Sequence, residues 1–198
     1  MAGDLIHPMR TLRRLSRIVT RGAYPHEFSW LIDNPIRRLF ITPETITRRL
    51  DPLPTAWILE IGPGSGYFSV DLAAAVPQGR LVLCDLQPEM LAKARTKLQS
   101  HNVGYAACRA TMLPFGPSLF DYVVLITVLG EVRPPEGCIA AAAEVLRPGG
   151  KLAVHEHLPD PDFTPFPNLS RMCAAVGVRF TRRWGPSWNY TAVFTKAE

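Results

Sequence analysis

Residues 56–68 read AWILEIGPGSGYF, and this stretch decides the fold. AWILEI is a short apolar run of strand character. Three glycines follow at alternate positions, Gly62, Gly64 and Gly66, with Pro63 between the first two. YFSVDLAAAV then has helical spacing. A strand, a glycine turn and a helix begin a βαβ unit, and the turn is where such a unit meets a ligand. Glycine lets the backbone turn tightly and approach a ligand with no Cβ in the way.

The alternation continues outward from this stretch. RLVLCDL (80–86) reads as a strand, and PEMLAKARTKLQS (88–100) reads as an amphipathic helix with proline at its start. VGYAAC (103–108) is a weaker strand and FDYVVLI (120–126) a strong one, rich in β-branched residues. PEGCIAAAAEVL (135–146) is a helix ended by RPGG, and KLAVHEH (151–157) is the fifth strand. The proline-rich LPDPDFTPFP (158–167) leads to a last helix. VGVRFTRRW (176–184) and WNYTAVFTK (188–196) flank GPS as an antiparallel hairpin. The expected fold is α/β: a Rossmann-like, doubly wound, mostly parallel seven-stranded sheet with an antiparallel C-terminal hairpin. Residues 1–50, broken by Pro8, Pro25, Pro35 and Pro43, read as an N-terminal helical cap. Residues 51–198 read as one ligand-binding domain, with LDPLP (50–54) as the joint. Phe28 and Trp30 in the cap read first as the apolar face of a packed helix.

Charge divides the chain in the same place. Residues 1–50 carry nine arginines against four acids, whereas residues 51–198 carry equal numbers of each sign, so the net charge of +5 lies entirely in the first fifty residues. A nucleic-acid enzyme more often spreads basic charge along its cleft, which disfavours a nucleic-acid substrate. A basic segment at one end suits contact with an anionic membrane surface, or simply a solvated helix face. No run approaches the ~18 apolar residues of a membrane span, and the N-terminus lacks a signal-peptide core. Cys84, Cys108, Cys138 and Cys173 are widely spaced without a CxxC pair, so they read as buried thiols of a reducing compartment. The expected location is cytoplasmic, with peripheral membrane contact through the basic segment. Oligomeric state has no signature here.

The ligand of the glycine turn follows by elimination. A P-loop needs Gly-Lys-Ser/Thr at its end, and here Tyr67 and Phe68 follow Gly66. The dinucleotide fingerprint needs its third glycine where Tyr67 stands, and Tyr67 would crowd a pyrophosphate at the helix start. Glu60, two residues before Gly62, favours a cationic group over a phosphate. Asp85 ends the second strand, where an acid suits ribose hydroxyls. An ammonium end, a ribose and no phosphate describe S-adenosyl-L-methionine.

With these motifs in order, residues 55–157 resemble the class I S-adenosylmethionine-dependent methyltransferases, nearest to the small-molecule branch that includes quinone C-methyltransferases. ILEIGPGSG resembles the family's first motif and LVLCDLQPEML its second. FDYVVLITVLGEV resembles the fourth-strand motif, and EVLRPGGKLAV resembles the turn into the fifth strand. The resemblance implies a transferase with S-adenosyl-L-methionine as cofactor, held by Glu60, Gly62, Pro63, Gly64, Gly66 and Tyr67, with Asp85 on the ribose and Leu86 and Met90 beside the adenosine. Thr127, with Val128, Leu129 and Gly130, is expected to wall the methyl-transfer side. One piece departs: CRATMLPF (108–115) has Arg109 where the branch usually has an Asp for the adenine amino group. Ala110 and Thr111 are expected to supply that contact through backbone or hydroxyl.

The implied function is methyl transfer to a small, apolar or amphipathic acceptor. The catalytic-base candidates are His155, Glu156, His157 and Glu131. Alternation puts His155 and His157 on one face of their strand and Glu156 on the other. A third ligand for a metal between the two histidines is missing at any suggestive spacing, so no metal is expected. The alternatives are a nucleic-acid or protein methyltransferase docking through the basic segment, and a catalytically inactive S-adenosylmethionine-binding protein.

Overall fold

The structure, a computed structural model, describes residues 41–198. The part of the expected cap before Ile41, including Phe28, Trp30 and seven of the nine arginines, lies outside the described residues.

The first described helix, α1 (Pro43–Leu50), shows why it starts and stops where it does. Thr42 caps it, its hydroxyl accepting from Thr45 N at 3.2 Å, with Pro43 in the first turn. Glu44 sits in the first turn, Arg48 and Arg49 in the last, each on the favourable end of the helix dipole. Asp51 ends the helix in the left-handed region at φ 45°. Ile46 and Leu50 are buried among the residues of the α/β body.

The body follows as β1 (Trp57–Ile61), α2 (Ser69–Ala75), β2 (Arg80–Asp85), α3 (Pro88–Lys97), β3 (Val103–Ala107), β4 (Phe120–Ile126), α4 (Pro135–Val145), β5 (Leu146–His157), α5 (Phe166–Ala175), β6 (Val178–Trp184) and β7 (Asn189–Lys196). A single 3₁₀ turn, Leu129–Glu131, follows β4. The seven strands form one sheet in the order β3-β2-β1-β4-β5-β7-β6. β1 to β5 pair in parallel, and β7 is antiparallel to both β5 and β6. The expected seven-stranded sheet and closing hairpin are thus present.

Both faces of the sheet are covered, which is why β4 is buried at every position. Leu59, Ile61, Val123, Leu125, Leu152 and Val154 face α4 and α5. Ile58, Leu81, Leu83, Val124 and Ile126 face α1, α2 and α3. The strand order reverses between β1 and β4. Their carboxyl ends therefore border the crevice in which open α/β sheets bind ligands.

One expectation needs correction. Cys84 and Cys108 are not two separate thiols but a disulfide across the end of the β2–β3 pair, with Cα atoms 6.0 Å apart. The reason is register: Cys84 lies opposite Ala106, and Cys108 N donates to Asp85 O as the ladder ends. Cys138 and Cys173 are buried thiols as expected, and burial pushes each up to about 12.

Candidate active site

The glycine turn leaves β1 at the crevice. Gly62, Gly64 and Gly66 have φ of 68°, 56° and 82°, a region that L side chains rarely adopt. Gly62 also has a steric reason: a Cβ there would stand 2.6 Å from Val128 Cγ2. A Cβ on Gly66 would press on Leu98 and Ala94 of the α3 side. So the first glycine keeps the turn close to the β4 loop, and the third lets it lie on α3.

Glu60 is 2% exposed, and its Oε2 accepts from Ser69 Oγ at 2.5 Å. Its carboxylate ties the end of β1 to the first residue of α2. Pro63 is buried, while Tyr67 is half-buried with its ring edge-on to Phe68. Asp85 reaches across from β2. Its Oδ2 accepts from Gly64 N at 3.3 Å and its Oδ1 from Gln87 N at 2.9 Å. Burial raises its pKa from the ordinary carboxylate value, and the hydrogen bonds from Gln87, Gly64 and Leu86 oppose that rise. Asp85 thus holds the middle of the glycine turn with one oxygen and the start of α3 with the other.

The remaining expected contacts differ in what they offer. Leu86 is 55% exposed beside Asp85, whereas Met90 is 2% exposed and has almost no surface to present. Ala110 and Thr111 are half-buried in the turn after β3, where Met112 N donates to Arg109 O at 2.9 Å. Arg109 itself is exposed.

Thr127 follows β4 at φ 54°, an outlier for a β-branched residue. Such a conformation costs on the order of 1–3 kcal/mol and persists only where surroundings fix it. Here Thr127 N donates to His155 O and its hydroxyl to Ile126 O. Val128 is half-buried against Gly62. Leu129 was expected in the same wall, but it is fully buried in the core beneath α4. Gly130 lies against the backbone of Asp162.

The end of β5 separates the base candidates as alternation requires. His155 and His157 share a face, their ring centroids 5.6 Å apart. His155 Nδ1 is 3.1 Å from Thr191 Oγ1, which in turn accepts from Arg49 Nη1 at 2.6 Å. Glu156 points to the opposite face, 1% exposed, with Oε2 accepting from Thr164 N at 3.1 Å and Oε1 without a partner. Burial pushes it up to about 8, the negative fields of Asp160, Glu131 and Asp162 add to the rise, and the Thr164 hydrogen bond opposes it. Glu131, half-buried after β4, therefore acts on Glu156 through its charge. Among the described residues, no group of three His, Cys, Asp or Glu side chains could hold a metal ion.

Ser69, Thr164, Thr191 and Arg49 had no linear signal. Each reaches its partner across elements, and none falls within a motif. The residues present suit the expected cofactor: an acid at the end of β2, a turn that a Cβ would fill, and a hydrophobic Leu86 exposed next to both.

Comparison with known proteins agrees with this geometry. Residues 58–150 match a family described as a methyltransferase domain. The "Ubiquinone/menaquinone biosynthesis C-methyltransferase UbiE" of Haemophilus ducreyi is 33% identical over 117 residues, covering 57% of this chain and 45% of that protein. The "Demethylmenaquinone methyltransferase" of Beutenbergia cavernae is 29% identical over 157 residues, covering 73% of this chain and 63% of that protein. The chain thus spans less than two thirds of the length of these relatives. A crystal structure of an S-adenosylmethionine-dependent methyltransferase from Aquifex aeolicus superposes with a TM-score of 0.77 at 19% identity, covering 87% of this chain and 98% of that one. With the glycine turn, Asp85 and the sheet order in place, residues 58–150 match a methyltransferase domain, and the chain is similar to the class I S-adenosylmethionine-dependent methyltransferases, the two relatives above being named as ubiquinone/menaquinone and demethylmenaquinone methyltransferases.

Proposed function

We propose that this chain transfers a methyl group from S-adenosyl-L-methionine to a small, apolar acceptor, a quinol-type ring being the best fit. One observation carries the reading. Asp85 and the Gly62–Gly66 turn form one hydrogen-bonded unit at the switch point of the sheet, in a chain whose relatives are named for quinone methylation.

In this reading Asp85 holds the ribose, the glycine turn lies along the methionine part, and Glu60 supports the turn through Ser69. Leu86 covers the adenosine, and Ala110 and Thr111 border the base. Once bound, the cofactor supplies a methyl group on a positively charged sulfur, so the hard chemistry is its own. The protein's work is to orient the acceptor and exclude water. A ring-carbon acceptor that gains a methyl cation must release one proton, which asks for a base. Thr127, held in its uncommon backbone conformation between β4 and β5, places the residues after it beside the glycine turn. The His155–His157 pair at the end of β5 is the candidate that can take that proton, and Glu156, which its raised pKa keeps protonated near neutral pH, can relay one.

Docking to an anionic membrane surface belongs to the same proposal. It is supported by the arginine-rich first fifty residues and by β6, where Arg179, Phe180, Arg182 and Arg183 are exposed and Trp188 follows at 49% exposure. Among the described residues no helix is long and apolar enough to cross a membrane.

The test is methyl transfer from isotopically labelled S-adenosylmethionine to a short-chain demethylquinol, presented in anionic and in neutral vesicles. Labelled quinol, formed faster from anionic vesicles, is the expected result. Label on RNA or protein instead, with none on the quinol, would overturn the acceptor assignment. Equal rates from both vesicles would remove the docking proposal alone.

A further inference from the structure

Three neighbouring strands place one residue each in a row on the face covered by α1. In register, His155 on β5 lies opposite Thr191 on β7, and Thr191 lies opposite Trp184 on β6. Arg49, in the last turn of α1, crosses this row. Its guanidinium lies 5.9 Å from the Trp184 ring centroid, and its Nη1 donates to Thr191 Oγ1 at 2.6 Å. Thr191 and His155 are each 1% exposed. Arg49 and Thr191 lie outside the matched region 58–150.

We propose that Arg49 and Thr191 are positioning residues that fix the tautomer of His155, with Nδ1 accepting and Nε2 carrying the ring proton. This rests on the methyltransferase reading, in which the end of β5 faces the acceptor. The chemistry of the donors decides the direction. A guanidinium only donates, so Thr191 Oγ1 must accept from Arg49. A hydroxyl that accepts from a cation becomes a stronger donor and a poorer second acceptor. Its one proton therefore goes to the neighbour at 3.1 Å, His155 Nδ1. A neutral imidazole that accepts at Nδ1 carries its hydrogen at Nε2. His155 then serves as a hydrogen-bond donor from Nε2 in its resting form. Burial and the neighbouring charge of Arg48 lower the pKa of Arg49, yet a guanidinium keeps its proton. The consequence is a link between α1 and the histidine pair. The last arginine of the basic N-terminal segment is committed to the site rather than to solvent.

The test reads the tautomer directly. Long-range ¹H–¹⁵N correlation spectra of the full chain, labelled at histidine, distinguish a protonated from an unprotonated ring nitrogen. In the wild type, His155 should show unprotonated Nδ1 and protonated Nε2. Thr191→Val, which keeps the shape and removes the hydroxyl, should shift the population toward protonated Nδ1, and Arg49→Met should shift it in the same direction. Thr191→Ser should retain the wild-type spectrum. A wild-type His155 protonated at Nδ1, or a Thr191→Val spectrum unchanged at His155, would overturn the proposal. In the methyl-transfer assay, Thr191→Val should lower kcat at least about tenfold while calorimetric affinity for S-adenosylmethionine stays the same. An unchanged kcat with a shifted tautomer would confine the role of the pair to structure. Absence of any transfer by the wild type would count against the proposed function and leave the tautomer result standing.

Discussion

Glu156 carries a carboxyl group that burial holds far above its ordinary pKa. The folded protein binds its proton up to about pH 8, whereas an unfolded chain releases it near 4.5. Across that window the native state holds more protons than the unfolded state, so this group makes stability fall as pH rises. The contribution is on the order of a few kcal/mol at its largest. Glu156→Gln should remove that slope, and urea titrations at intervals between pH 5 and 9 check it. Equal slopes in wild type and variant would show that Glu156 is not protonated at neutral pH. At this scale the sequence placed the candidate residues along their strands but not what they touch. Strand alternation placed Glu156 opposite the histidines. Asp85 was recognisable from its place at the end of the second strand. Thr164 on Glu156, Ser69 on Glu60 and the sulfur of Cys108 on Cys84 come from loops and register that no local pattern encodes.

Among the elements, the glycine turn is the most constrained. Its first glycine combines a positive φ with a steric limit set by Val128 on the loop after β4. Gly62→Ala should therefore push the turn away from β4, weaken S-adenosylmethionine binding by about tenfold or more, and lower the melting temperature by several degrees. Calorimetry and thermal melts of the same preparation check both effects. Unchanged affinity would mean that the turn is not the cofactor's cradle. Elements were the most legible level. The runs at 57–61, 80–85 and 120–126 and the helix at 135–145 follow directly from apolar periodicity and proline placement. Leu129 was misplaced because a single 3₁₀ turn after β4 rotates it inward, and one turn is too short to leave a period in the sequence.

For the whole molecule, the reversal of strand order between β1 and β4 brings the glycine turn, Asp85 and the end of β5 to one side of the sheet. That arrangement was readable from alternating strands and helices, because parallel strands need crossovers of one hand. The partners around the end of β5 were not readable, because Arg49, Thr164 and Thr191 come from α1, the 158–167 connection and the closing hairpin, each with its own local logic. The central claim is that the crevice takes a phosphate-free, cationic nucleoside. Isothermal calorimetry of the full chain against S-adenosylmethionine, its demethylated product S-adenosylhomocysteine and NAD tests it most directly, with Asp85→Asn as the control. Saturable one-to-one binding of both adenosyl compounds, no binding of NAD, and at least about tenfold weaker binding in Asp85→Asn are the predicted result. Binding of NAD with none of either adenosyl compound, or full affinity in Asp85→Asn, would contradict it.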